Sequence, residues 1–563
     1  MQTLDWIVLS ASLIFIVVYG VWKGRGSKDI TGYFLANRSM RWYTVLLSIM
    51  ATQASAITFL SAPGQAYVDG MRFVQFYFGL PIGMVILSIT AIPIYHRLKV
   101  HTAYEYLENR FDLKTRTLAS LLFLAGRGLA AGLTIYAPAL IFTVILGWDI
   151  HWTNLIIGTL VIIYTASGGT KAVNWTHFYQ MMIIMFGMFA AFFMIVINLP
   201  DGVSLLEATH LAGKLGRLNA IDFGFDWNNR YNIWSGILGG MFLQLSYFGT
   251  DQSQVQRYLT GESITQSRLG LLLNGIVKIP MQFFILFIGA MLFAFYQFEA
   301  PPVFFNSAEI AKVQASDHAR EYNFLEVQYK QAHEQKKLRA RQMVLALQSE
   351  DEKNITAAQQ HLLRADADAQ EIRNKAIALM QKNDPGMDPK DTNYIFLSFV
   401  TKYLPAGLVG LIIAAIIAAS MSSTSGELNA LASTSIVDIY KRMFRRKGSD
   451  RHYLTSSKIA TVLWGIYAIL FAEYASRLGS LIEAVNILGS LTYGPILGIF
   501  LVGFYFKKIG ANATFYGAFL AEAAVLYCFF FTDIAFLWYN PIGCLGVIFF
   551  AYLLQPMFET QTS

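Results

Sequence analysis

Five hydroxyl residues, Ser420, Ser422, Ser423, Thr424 and Ser425, fall within six positions of an apolar run, and Glu427 follows. Neutral oxygens of this kind can replace the water around a monovalent cation such as sodium. A helical Ser or Thr also bonds to the carbonyl four residues back, which is the plain alternative. Five together exceed what packing asks for. A second polar stretch, "SIMATQASAITFLSAPGQAY" (48–67), mixes Thr, Gln, Ser, Gly and Pro. Interrupted membrane helices expose carbonyls to a cation, whereas close packing of small residues would need the same composition. Arg127 in "FLAGRGLAAGLTIYAPAL" stands about ten residues into an apolar run, roughly 15 Å along a helix. A buried arginine there holds a carboxylate or carbonyls, or touches a solute. Asp251 and Gln252 in "YFGTDQSQVQR" end another apolar run and suit a route through the bundle, with Arg257 as an interface anchor.

These residues need membrane helices to position them. The 563-residue chain is 55% hydrophobic and 14% charged, against about 25% charged in soluble domains. Apolar stretches near 20 residues recur, the length that crosses a bilayer. The ten-residue alternation of a β-barrel is absent. The fold class is therefore an all-α polytopic membrane protein. Thirteen spans are expected near 3–22, 43–66, 73–97, 117–146, 153–168, 175–198, 232–252, 271–297, 406–439, 458–475, 482–505, 512–531 and 534–555. With that count, basic loops fall on one side: Lys23, Arg25, Lys28, Arg38 and Arg41; Lys99, Arg110, Lys114 and Arg116; "KRMFRRKGSDR" (441–451); Lys507 and Lys508. The positive-inside bias then puts the N-terminus outside and the C-terminus in the cytoplasm, in a plasma membrane, for a bacterium the inner one. The opposite short loops carry almost no base, Arg477 excepted. Net charge +7 is explained by helix ends, so no nucleic acid partner is expected. Cys528 and Cys544 lie in apolar runs as packing residues. No nucleophile–base pair or metal-ligand cluster points to an enzyme.

Residues 300–392 interrupt the pattern. Two stretches rich in Ala, Glu, Gln, Lys and Arg flank "SEDEKNIT". Both favour helix and are too polar for lipid. They are expected to form an extracytoplasmic helical insert, dividing the chain into 1–299, 300–392 and 393–563. A solvated decoration is the plain reading; contact with a partner protein is the alternative.

"GQAYVDGMRF" (64–73), "HTAYEYLENRF" (101–111), "IYAPALI" (135–141), "YTASGGTKAVNWT" (164–176), "QVQRYL" (254–259) and "AASMSSTSGELNALASTSIVDIY" (418–440) occur in this order. Together they resemble the sodium:solute symporter family, nearest the iodide, multivitamin and monocarboxylate cotransporters and bacterial relatives. The resemblance implies the leucine-transporter fold, a 5+5 inverted repeat over spans two to six and seven to eleven. It implies a sodium-coupled symporter that imports a small organic solute by alternating access, in the class of monocarboxylates, vitamins, polyols or sugars. A transporter-like sensor or receptor, or a passive channel, is the alternative. Sodium is the co-transported ion. Its implied ligands are the carbonyls of Ala51, Ala54 and Ala419 and the hydroxyls of Ser422 and Ser423. Implied solute contacts are Ser55, Thr58, Tyr77, Arg127, Asp251 and Gln252. Ile57, Thr58, Tyr77, Leu80 and Asp251 replace the residues with which sugar carriers hold a sugar. One departure stands out: the family's "WTD" motif reads "NWTH", with His177. The expectation is that His177 and Glu427 face each other across the bundle, as an ion pair or as a device that senses pH near 6.5.

Overall fold

The computed structural model describes residues 2–24, 30–349, 351–475 and 478–559. Its regular elements are helices; the one bridge among the described residues joins Met40 to Gly261. α1 (Thr3–Gly24) precedes an interrupted pair, α2 (Trp42–Gln53) and α3 (Ala56–Asp69). Then come α4 (Leu80–Ile89), α5 (Leu113–Leu146) and α6 (Ile150–Ile197). A second interrupted pair follows, α7 (Gly240–Gly249) and α8 (Gln252–Leu259), and then α9 (Ile264–Phe295). α10 (Ala319–Gln348) and α11 (Glu352–Asn383) form a hairpin. α12 (Leu408–Ser433), α13 (Asp450–Ala472), α14 (Leu481–Tyr505), α15 (Ala511–Phe531) and α16 (Tyr539–Glu559) complete the bundle. Nine helical segments among the described residues are long and apolar enough to cross a membrane.

The expected spans differ from these helices at four places, the first being span three, whose helix starts at Leu80 and breaks at Thr90 before resuming over Ala91–Leu98. Span two breaks at Ala54–Ser55, and span seven breaks at Thr250–Asp251 and runs on to Leu259. Spans five and six join as the 48 residues of α6. A straight helix of that length would reach about 72 Å, twice a bilayer core. Yet His151 bonds to Glu473 beyond the end of α13, the Tyr33 hydroxyl donates to the Thr165 carbonyl, and Gly187 packs on Ile412 near the start of α12. The stretch therefore crosses the bundle and returns.

One end of the bundle carries the hairpin. The other gathers the basic loops: Arg38 donates to the Val100 carbonyl at 3.0 Å, Arg110 to the carbonyls of Phe506 and Lys507, and Arg442 lies 3.3 Å from Glu108. Arg25, Lys28 and Arg477 lie outside the described residues. Arg116 is not a loop charge at all. It is fully buried, 2.8 Å from Asp438 and 2.5 Å from Glu108, and ties α5 to the segment after α12.

Without a hydrophobic drive inside lipid, helices associate through close packing of small residues. A Cβ on Gly289 would stand 2.0 Å from the Pro63 carbonyl oxygen, so α9 meets α3 backbone to backbone. The buried Asp5 carboxylate accepts the amides of Gly407 at 2.6 Å and Gly410 at 3.1 Å, fastening α1 to the start of α12.

The hairpin has its own seam. Ile355, Leu362, Ala369 and Ala376 are buried at seven-residue intervals, facing Tyr322, Tyr329, Ala340 and Met343. This spacing is the coiled-coil pattern. The hairpin is fastened at several points: His333 Nε2 to the Tyr296 carbonyl at 3.0 Å, Gln348 to Glu207 at 3.0 Å, and Arg373 to Asp391 at 2.6 Å. The adjoining segment presses on α3, where a Cβ on Gly64 would stand 1.9 Å from the Thr392 oxygen. Tyr67 of α3 packs between Phe293, Tyr296 and Phe305, with ring centroids 5.6–6.0 Å apart.

Candidate functional site

The first interruption and α7 border a small cavity of about 70 Å³ inside the bundle. Its lining includes Gln53, Ser55, Thr58, Tyr77, Arg127, Gln244, Tyr247, Glu427 and Tyr493. Four expected solute residues, Ser55, Thr58, Tyr77 and Arg127, thus come together. The other two do not line it. Asp251 sits just behind, as the N-cap of α8, accepting the Ser253 amide at 2.8 Å. Gln252 turns away: its side chain accepts from the Ala103 amide at 3.1 Å and donates to the His101 carbonyl at 3.0 Å. It pins a loop rather than a solute. Arg257 is fully buried and bonds to the Ser253 carbonyl at 3.1 Å, so it is no interface anchor.

At the first interruption, Ala54 leaves helical geometry (φ −88°, ψ 70°) and α3 restarts after an extended Ser55. A helix end leaves its last four carbonyls without an intrahelical donor, and Ala51 and Ala54 fall in that set. Both are buried.

The hydroxyls of α12 divide between two faces. Ser420 donates to the Thr134 carbonyl of α5, and Thr424 donates to the Thr134 hydroxyl at 2.9 Å. Glu427 continues this face, accepting from Thr134 at 3.0 Å and Arg127 at 3.0 Å. Ser422 and Ser425 share the other face, and their buried hydroxyls have no hydrogen-bond partner among the described residues. Ser423 bonds back to the carbonyls of Ala419 (3.0 Å) and Ser420 (3.1 Å). The Ser422 face looks toward α2. A Cβ on Gly426 would stand 3.7 Å from the Thr52 methyl, and His177 lies between Ser48 (3.2 Å) and the backbone of Ser422.

The expected His177–Glu427 pair is therefore not formed. Ser422 and Glu427 are five residues apart, about 140° around a helix. His177 stands with Ser422, while Glu427 faces α5 and pairs with Arg127. Arg127 carries a wider cluster. Its Nε is 3.7 Å from Asp251, its Nη1 is 3.4 Å from the Tyr493 hydroxyl, and its guanidinium lies 5.4 Å from the Tyr247 ring centre. Tyr493 donates to Asp251 at 2.7 Å. Thr134, Gln244, Tyr247 and Tyr493 are site residues that sequence reading did not single out. Lys278 of α9 does not line the cavity; it is fully buried behind it, 5.7 Å from the Tyr77 ring centre. The spacing Asn274–Lys278–Gln282, one polar residue every four in an apolar run, was the available signal.

Two interrupted helices converging on a polar cavity inside a helical membrane bundle define a secondary transporter of the alternating-access class. The chain belongs to the sodium:solute symporter family, whose profile matches residues 33–323 and 374–521. It is similar to the sodium/sialic acid symporter NanT of Aliivibrio fischeri, 26% identical over 99% of this chain and 94% of that protein. Human sodium-coupled monocarboxylate transporter 1 is 27% identical over 90% of this chain and 70% of its own length. A solved Na+-coupled sialic acid symporter, substrate-bound and outward-open, superposes with TM-score 0.75 at 24% identity, covering 99% of this chain and 98% of that one. The fold is thus the leucine-transporter type, and the protein is a sodium-coupled symporter, not an enzyme.

Proposed function

We propose that sodium binds between the first interruption and α12, held by the carbonyls of Ala51, Ala54 and Ala419 and the hydroxyls of Ser422 and Ser423. The observation that carries this reading is the Ser422 hydroxyl, buried without a partner beside α2. An orphaned buried hydroxyl costs stability unless something fills its site. Ser423 keeps oxygen lone pairs free while its proton serves the helix. The solute occupies the cavity next door, against Ser55, Thr58 and Tyr77. Sodium closes the gap between α2 and α12 and completes the solute pocket, which forbids sodium from crossing alone.

Each sodium entering down a potential of 100 mV, inside negative, yields about 2.3 kcal/mol, and a tenfold gradient adds about 1.4 kcal/mol. Together they sustain roughly a 500-fold solute gradient. The end that gathers the basic loops is cytoplasmic and the hairpin end extracytoplasmic, in a bacterial inner membrane. The hairpin acts as a brace on α3 rather than as a docking arm for another protein. Reconstitution in liposomes with an imposed sodium gradient tests the whole. Ser422→Ala should raise the sodium concentration for half-maximal uptake at least tenfold. Unchanged sodium activation in that variant refutes the ligand set, and uptake indifferent to sodium refutes coupling.

A further inference from the structure

We propose that the loop between α12 and α13 is a seat for anionic phospholipid. Arg445, Arg446, Lys447, Arg451 and Lys458 receive the headgroups, and the exposed side of α13 receives the acyl chains. On the orientation proposed above, the lipid belongs to the cytoplasmic leaflet.

Residues 441–451 hold six basic residues and one acid, Asp450. Two of the six are engaged: Arg442 lies 3.3 Å from Glu108, and Lys441 stands 5.2 Å from the Tyr453 ring centre. The other four and Lys458 are exposed, and among the described residues no carboxylate pairs with any of these five. Their backbone is nonetheless held. The Tyr453 hydroxyl donates to the Arg445 carbonyl at 2.6 Å, the Tyr440 hydroxyl lies 3.2 Å from His452 Nε2, and Arg446 donates to the Arg442 carbonyl at 3.2 Å.

The patch continues a lipid-facing surface. Ile459, Val462, Leu463, Ile466 and Leu470 are exposed on α13, a helix of membrane-spanning length, and mark its lipid side. Counting back from Val462 by four, seven and eleven residues reaches Lys458, Thr455 and Arg451, all exposed. Those intervals stay on one helix face. The lipid side of α13 therefore runs straight into two basic residues, whose apolar stems can lie along it while the charges reach the headgroups. Met443 and Phe444 are 54% and 75% exposed beside the remaining charges. A solvated basic loop gains nothing from a bare phenylalanine, whereas a surface of anionic headgroups over hydrocarbon complements both kinds of side chain. The helix of α12 also runs on through Thr434–Phe444, where Asp438 accepts from Thr102 at 2.7 Å and Arg116 at 2.8 Å. Lipid seated here grips the far end of the helix that carries Ser422 and Ser423.

The full-length protein in neutral maltoside micelles is titrated with phosphatidylglycerol, and the rise in thermal unfolding midpoint gives the apparent affinity. Phosphatidylcholine and soluble glycerol phosphate are titrated in parallel. A basic residue near an anionic bilayer surface is worth roughly fivefold in affinity. Phosphatidylglycerol should raise the midpoint, and the triple variant Arg445→Gln, Arg446→Gln, Lys447→Gln should need at least tenfold more of it for the same rise. Arg445→Lys with Arg446→Lys should respond like wild type. So should Lys507→Gln with Lys508→Gln, in another exposed basic loop at the same end. Equal stabilisation by phosphatidylcholine overturns the proposal. So does a match by glycerol phosphate, a wild-type response from the triple variant, or an equal loss in the Lys507 and Lys508 variant. Micelles have no sidedness and no transport is measured, so the outcome is independent of orientation and of sodium coupling.

Discussion

The two interruptions occupy corresponding places in the inverted repeat, and they are finished differently. The first ends in Ala54 and Ser55, and no side-chain cap closes either half-helix. The second is stoppered by Asp251, which caps α8 and also faces Arg127 and Tyr493. A break left bare has backbone oxygen to offer an ion. A break filled by its own carboxylate is already satisfied and offers charge instead. On the proposed reading, similar backbone devices serve two cargoes, depending on whether the sequence supplies a stopper.

The largest effect expected on this contrast comes from Arg127→Ala. It strands Glu427 and Asp251 inside the bundle, and removing one partner of a buried ion pair costs about 3–5 kcal/mol. Thermal unfolding in detergent should show a drop of several degrees, with uptake lost. A melting curve like wild type would mean that the second break does not depend on its charges. Next, Asp251→Ala should cost about 0.5–2 kcal/mol as a lost helix cap and weaken solute affinity more than sodium affinity. Equal losses in both would erase the distinction between the breaks. Ser48→Ala removes a bond to His177 at the bare break. Its expected cost is about 1 kcal/mol, read as a two- to fivefold rise in the sodium constant without change in solute KM at saturating sodium.

The smallest effect lies outside the membrane. Burial holds the His333 imidazole below its usual value, helped by Lys336 and Lys337 and opposed by the Tyr296 carbonyl. Its Nδ1 is buried without a partner. A base depressed in the folded state takes up more protons when released, so hairpin docking is complete above about pH 6.5 and weakens as pH falls below it. Hydrogen exchange of α10 measured at pH 7.5 and 5.5 should show faster opening at the lower value. His333→Gln should remove that dependence.

Some of this was legible in the residues alone. The excess of hydroxyls at 420–425 and the weak helix at 48–67 mark both halves of the proposed sodium site, because polar atoms in lipid need a reason. Arg127 and Glu427 were each conspicuous, yet their pairing joins positions 300 apart on different helices, and no local pattern encodes it. Glu427 was matched to His177 because both belong to the same half of the bundle. Helical angle overrules depth there: residues 420, 424 and 427 share one face and 422 and 425 another. Gln252 and Arg257 read as pathway and anchor when span seven is ended at 252. The helix restarts after Asp251 and carries both inward to buried backbone partners. The two helical stretches of the hairpin were in plain view from their composition, whereas its heptad seam and the packing of its neighbouring segment on α3 depend on contacts between distant segments.

That grip has a practical corollary. Tyr67 is wedged among the rings of Phe293, Tyr296 and Phe305, so a tilt of α3 would disturb the segment that leads into the hairpin. A movement of α3 during transport would then reach a solvent-facing surface. A fluorophore on a cysteine placed at exposed Gln335 would watch it turn over by turn, since Cys528 and Cys544 both reside within membrane helices and would stay silent.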